Sequence, residues 1–153
     1  MKKTAAVQNE MRLTLPSHSV NESVARAACA VFLSQLDPTV TELSDVKCAV
    51  SEAVTNCIVH AYPNGIGEIY IHMRILEGRV FRVEIRDRGC GIEDVQKARE
   101  PLFTTDSEHE RSGMGFTVME SFMDSLRVIS ARGSGTKVTM TKKLAPLPRL
   151  SRT

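Results

Sequence analysis

Three short tracts of this chain carry residue types suited to chemistry, and they follow one another in order. Glu52 and Asn56 stand four residues apart, Asp87, Gly89 and Gly91 follow as Asp-x-Gly-x-Gly, and Gly113 and Gly115 close the set as Gly-x-Gly. An acid and an amide one helical turn apart can meet a ligand from the same side. The amide offers a neutral oxygen to a hard cation such as Mg²⁺, and the carboxylate can take a proton from an attacking hydroxyl. Glycines let the backbone close on a ligand, and free amides at the start of a helix favour phosphate. Each tract alone has a plainer explanation: a surface i, i+4 pair, an Asp-Gly turn, a tight loop. Together they are the parts that a nucleotide site requires.

The elements around them can be read from periodicity. At 100° per residue Val46, Val50, Ala53, Val54 and Cys57 form an apolar helical stripe, Glu52, Asn56 and His60 a polar stripe beside it, and Lys47, Ser51 and Thr55 the solvent side. Thr39 with Glu42 is a capping box opening this helix, which Tyr62-Pro63-Asn64-Gly65 stops. Upstream, Met11, Leu13 and Leu15 alternate as a half-buried strand closed by Pro16. Ser19 with Glu22 reads as another capping box, for a helix whose Val20, Val24, Ala27, Ala28 and Val31 repeat at helical spacing and which ends near Pro38.

Two strands joined at Glu77-Gly78 come next, with Ile69, Ile71, Met73 and Ile75 on one face and Phe81, Val83 and Ile85 on the inward face of the second. The alternation carried one step further turns Asp87 inward, where its carboxylate is an acceptor suited to a donor such as the adenine amino group. From Arg99 to Arg111 the pattern dissolves into a polar, aperiodic stretch of the kind that is functional or mobile in compact domains. A helix opened by Gly113-Met114-Gly115 buries Phe116, Met119, Phe122 and Met123, and strands near 126–131 and 136–142 flank the turn at Gly133-Ser134-Gly135. Three main helices and about five mostly hairpin-connected strands predict an α+β sandwich, a largely antiparallel sheet with helices on one face. One domain over 1–143 and a loose tail over 144–153 are expected.

Composition narrows the function classes. With 153 residues, a quarter of them charged, and a net charge of +2, there is no basic block for nucleic acid. No apolar run has the length of a signal peptide core or a membrane span, so a cytoplasmic protein is expected. Cys29, Cys48, Cys57 and Cys90 form no C-x-x-C pair, and the four histidines lack ligand spacing, so reduced thiols and no transition metal are expected.

At these residues the chain resembles the GHKL ATPase superfamily, with its N box and two glycine boxes in order, and more closely the anti-sigma-factor serine kinases of spore-forming bacteria. The tracts from Val50 to His60, from Pro101 to Thr105 and from Glu110 to Phe116 carry the closer likeness, which extends from Met11 to Lys142. The resemblance implies a Bergerat-type ATP fold, with Glu52 as general base, Asn56 on Mg²⁺, Asp87 on adenine, and Gly89, Gly91, Gly113 and Gly115 shaping the pocket. It also implies Arg111 on the terminal phosphate, Thr105, Ser112 and Met114 among the nucleotide-binding residues, and a lid over 99–112. The implied partners are a sporulation sigma factor held inactive and an anti-anti-sigma protein phosphorylated on serine. A homodimer is implied as well, and Arg26 matches a partner-contacting arginine, although a solvated helix arginine explains it equally.

A general-stress sigma factor, or a nucleotide-gated clamp without kinase activity, stands as the alternative. A histidine kinase would need a phosphoacceptor histidine ahead of Glu52, and the only His-Glu pair, His109-Glu110, lies in the implied lid. Two departures are visible: Arg88 stands where relatives often carry an acid, and the loop 61–65 is short.

Overall fold

The computed structural model describes residues 4–100 and 115–149. Its elements are β1 (Val7–Pro16), α1 (Asn21–Leu33), α2 (Val40–Asn56), β2 (Glu68–Leu76), β3 (Val80–Asp87), α3 (Val95–Ala98), α4 (Gly115–Phe122), β4 (Ser125–Ser130) and β5 (Thr136–Lys143). A tight turn, Ser34–Leu36, extends α1, and a π-helical turn, Cys57–Ala61, extends α2. The strands form one antiparallel sheet in the order β1-β2-β3-β5-β4, with α2 packed between α1 and α4. This is the expected α+β sandwich.

Strand alternation builds the sheet's inner layer in rows. Met11, Met73, Val83, Met140 and Leu126 pair in succession across all five strands, and Leu13, Ile71, Ile85, Val138 and Val128 form the next row. The row after that runs Leu15, Ile69, Asp87, at the point where the ladder between β3 and β5 ends. An apolar row thus ends on a carboxylate at the edge of the core.

The helices differ from expectation in one instructive place. The Thr39 box forms as read, Glu42 N–H donating to Thr39 Oγ1 (3.1 Å) and Thr39 N–H to Glu42 Oε1 (2.9 Å). The Ser19 box does not: α1 starts without a side-chain cap, and Glu22 instead accepts from the Ser51 hydroxyl at 2.5 Å. The valine stripe of α1 is also not its buried face. Val20 and Val31 are 66% and 74% exposed, whereas Ala25, Cys29, Phe32 and Leu33 are buried. Both stripes are apolar, so periodicity could not choose between them; small residues at 25 and 29 sit where α1 meets α2, and Phe32 reaches the Phe81 ring, 6.5 Å between centroids.

At the ends, β1 begins at Val7, four residues earlier than Met11, because its backbone pairs along the full length of β2. Leu144, assigned to the tail by sequence, is buried, its N–H donating to Arg79 O while Ala145 N–H donates to Glu42 Oε2.

Leu33→Ala is expected to cost about 2–5 kcal/mol and Val31→Ala less than about 0.5 kcal/mol in urea unfolding. Burial pushes the Cys29 thiol up to about 12. A raised thiol contributes stability that is complete below the ordinary thiol range and is lost as pH climbs toward the folded-state value. From about pH 9 upward, wild type should therefore lose on the order of 1 kcal/mol per pH unit more than Cys29→Ala, as read from unfolding curves at successive pH values.

Candidate functional site

Between the end of α2, the end of β3, α3 and the start of α4 lies a cavity of about 650 Å³, the size of a small-molecule site. Asn56, Cys57, Asp87, Gly91, Lys97 and Gly115 are among its lining residues. Two turns of α2 and the first residue of α4 thus face the inward end of β3 across one space.

Asp87 is buried, 4% exposed. Its Oδ1 accepts from the backbone N–H of Gly89 at 3.0 Å and of Thr136 at 3.2 Å. Two backbone donors offset part of the cost of taking a carboxylate out of water. The Cys57 thiol, buried in the wall of the same cavity, is held well above the ordinary thiol value, first by burial and then by the charge of Asp87.

Glu52 and Asn56 share a face of α2, and that face meets the start of α4. A Cβ built on Gly115 would lie 3.4 Å from Asn56 Nδ2 and Oδ1 and 3.4 Å from Glu52 Oε2. The acid and the amide therefore converge on one point at the cavity's border, although Glu52 itself is not part of the cavity wall. Among the described residues no three histidine, cysteine or acidic side chains cluster as a metal site. The amide oxygen of Asn56 beside the Glu52 carboxylate is a sparse, hard-oxygen donor set, which fits Mg²⁺, an ion that keeps waters and takes phosphate oxygens.

The glycine loop after β3 is clamped on both sides. Cys90 N–H donates to Ala61 O at 2.8 Å, and a Cβ on Gly89 would sit 2.1 Å from that same Ala61 oxygen. Gly91 has φ +74°, and a Cβ there would lie 2.0 Å from Ala131 O. Only glycine fits at either position. Tyr62 Oη accepts from Arg88 N–H at 2.8 Å and donates to Glu68 O at 2.6 Å, while the Arg88 guanidinium stacks 4.8 Å over Tyr70. The departure at Arg88 thus involves a contact with Tyr70 and not the cavity lining.

Of the residues singled out by sequence, Asn56, Asp87, Gly91 and Gly115 line the cavity, Glu52 borders it and Gly89 anchors its loop. Arg26 lies elsewhere, in a groove of about 510 Å³ shared with Lys47, Ser51, Glu52 and Phe122, with its Nη1 3.5 Å from Glu22 Oε1. Thr105, Arg111, Ser112, Gly113, Met114 and most of the implied lid lie outside the described residues. Three contributors were missed: Cys57, Tyr62 and Thr136. Cys57 adjoins Asn56 in the first tract, but its periodicity marked it only as core; nothing local marks Tyr62 or Thr136.

Comparison with known proteins follows the same lines. Residues 15–142 match the family model of the histidine kinase-like ATPase domain. The chain belongs to the histidine kinase-like ATPase family. Within it, the chain is 58% identical over 134 residues to the anti-sigma F factor of Caldanaerobacter subterraneus, spanning 88% of this chain and 93% of that one. It is 52% identical over 139 residues to that of Clostridium acetobutylicum, spanning 91% and 96%. These matches identify the chain with the anti-sigma-factor branch of the GHKL superfamily. The fold is similar to part of a solved chain that holds the RsbU and RsbW domains of a Mycobacterium tuberculosis protein, at TM-score 0.69 and 19% identity, over 95% of this chain and 35% of that one. No helix among the described residues is long and apolar enough to cross a membrane.

Gly89→Ala should lower the melting temperature by several degrees, since its Cβ would collide with backbone, whereas Gly65→Ala, with nothing within 4 Å, should leave it within about a degree.

Proposed function

We propose that this protein is an anti-sigma factor and a protein serine kinase, which binds a sporulation sigma factor and uses Mg-ATP to phosphorylate a serine of an anti-anti-sigma protein. The observation that carries the kinase half is the convergence of Glu52 and Asn56 on Gly115 beside the cavity that Asp87 lines. The high identity to anti-sigma F factors supports the sigma-factor half.

In this reading Asp87 accepts the adenine amino group, and the apolar walls at Ala53, Ile85 and Val138 hold the base. Asn56 turns its amide oxygen to Mg²⁺, which when bound neutralises phosphate charge. Backbone amides opening α4 at Gly115 face the phosphates. Glu52 takes the proton from the acceptor serine hydroxyl as the hydroxyl oxygen attacks the γ-phosphorus, the bond to the departing nucleoside diphosphate breaking in line. Little covalent work falls to the protein, so positioning and charge supply most of the rate. Arg111, with Thr105, Ser112, Gly113 and Met114, belongs to the phosphate side of this scheme. Arg26, in the groove that also reaches Glu52, is assigned to partner contact. A homodimer completes the proposal, to be read by analytical ultracentrifugation.

The deciding experiment incubates the protein with labelled ATP, Mg²⁺ and a recombinant anti-anti-sigma protein, and locates phosphoserine by mass spectrometry. Absence of transfer leaves a nucleotide-gated clamp. Glu52→Gln is expected to keep ATP affinity and lose about 10²-fold or more in transfer rate; an unchanged rate removes Glu52 as base. Asp87→Asn should instead weaken ATP binding in calorimetry, because the amide can present a donor to the donor of the base.

A further inference from the structure

Tyr62 does not line the cavity, yet its hydroxyl holds the chain at the residue directly after Asp87. We infer that Tyr62 is a positioning residue for nucleotide binding: its hydroxyl fixes the peptide that leaves Asp87 and so sets the direction of the Asp87 carboxylate. The inference rests on the adenine-nucleotide reading of the cavity and extends it to what aims the group that receives the base.

The hydroxyl has one proton, which goes to Glu68 O, 2.6 Å away at the start of β2. Its oxygen is left as an acceptor, and Arg88 N–H donates to it at 2.8 Å. One side chain thus joins the opening of β2 to the first residue beyond β3, beside the point where Ile69 pairs with Asp87. The ring is held as firmly as the hydroxyl. A Cβ on Gly67 would lie 2.2 Å from Tyr62 Cε1, so only glycine at 67 leaves the ring its place. Ser17 fixes Gly67 in turn, its hydroxyl accepting from Gly67 N–H at 3.0 Å and its own N–H donating to Gly67 O at 2.8 Å.

Arg88 N–H belongs to the same peptide unit as Asp87 C=O, and that unit is the middle of a short turn. Asp87 Oδ1 accepts from Gly89 N–H, two residues on, at 3.0 Å. This is an Asx turn, which closes only over a narrow range of orientations of the peptide inside it. From the other side Gly135 crowds that peptide, a Cβ there falling 2.3 Å from Asp87 O. Ala61 O takes Cys90 N–H at 2.8 Å, so consecutive residues, 61 and 62, hold the loop on both sides of Gly89. Tyr62 therefore acts through Asp87, fixing the turn that gives the carboxylate one of its backbone donors.

The test is calorimetry of ATP on wild type, Tyr62→Phe, Asp87→Asn and the double variant. Tyr62→Phe removes the hydroxyl and keeps the ring on Gly67, and urea unfolding checks that the variant is folded. It should weaken ATP binding about three- to tenfold. Introduced into Asp87→Asn, the same change should cost less than about twofold, because its effect runs through the carboxylate. Unchanged affinity in Tyr62→Phe overturns the inference, and so does an equal loss with and without the Asp87 carboxylate, which is what packing alone would give. Amide exchange of Tyr62→Phe decides even where Asp87→Asn binds too weakly to measure: Gly89 N–H should lose more protection than the amides of β3, and a loss no greater than theirs overturns the inference. In both cases the cavity remains a nucleotide site. Failure of wild type to bind ATP overturns the underlying reading as well.

Discussion

Asp87 ends an apolar row of the sheet with a charge, and much of the architecture answers to that fact. Among the described residues it is the only Asp, Glu, His, Lys or Arg in the buried class. Burying a carboxylate without partners costs several kcal/mol, whereas each hydrogen bond to a charged group returns about 1.5–3 kcal/mol. The partners are backbone amides from two places, the loop immediately after β3 and the first residue of β5. The sheet therefore has to close with β5 beside β3, and the loop has to double back within two residues, before the carboxylate is tolerable. The same closure opens the cavity.

The second constraint ties the helix layer to that loop. Where α2 gives way to a π-helical turn, Ala61 presents its carbonyl to Cys90 N–H at 2.8 Å, and Gly89 approaches so closely that a side chain is excluded. π-Helical turns inside helices recur at functional sites, and here the turn spaces Asn56 from the point where the helix grips the loop. Glu52 and Asn56, on a helix, and Asp87, on a strand, thus keep a common frame set by rigid elements. Such a frame suits chemistry that depends on positioning more than on covalent participation.

The first helix carries a different lesson. Val20, Val24 and Val31 make a regular apolar stripe that stays in solvent, while the less regular set Ala25, Cys29, Phe32 and Leu33 enters the core. Close approach of α1 to α2 requires small side chains at the crossing, and that requirement outranks hydrophobicity. The displaced capping acid, Glu22, bridges instead to Ser51 on α2 and lies near Arg26, so the start of α1 is joined to the residue next to Glu52. An exposed apolar stripe on a helix is the kind of surface proteins use to meet other proteins.

The sequence alone determined whatever depends on a local period or a local cap. Alternation in β2 and β3 set the buried face and turned Asp87 inward; helical spacing put Glu52 and Asn56 on one side; the Thr39 and Glu42 pair placed the start of α2. These followed because the side-chain direction of a strand or helix repeats every two or 3.6 residues, whatever the element packs against. Tertiary structure decided which apolar stripe of α1 is buried and sent Glu22 to Ser51 rather than to its own helix end. It brought Thr136 to Asp87 across 49 positions, and Ala61 against Gly89. No local pattern encodes these, because each is a choice between equally apolar or equally polar partners that only distances between separate elements can settle.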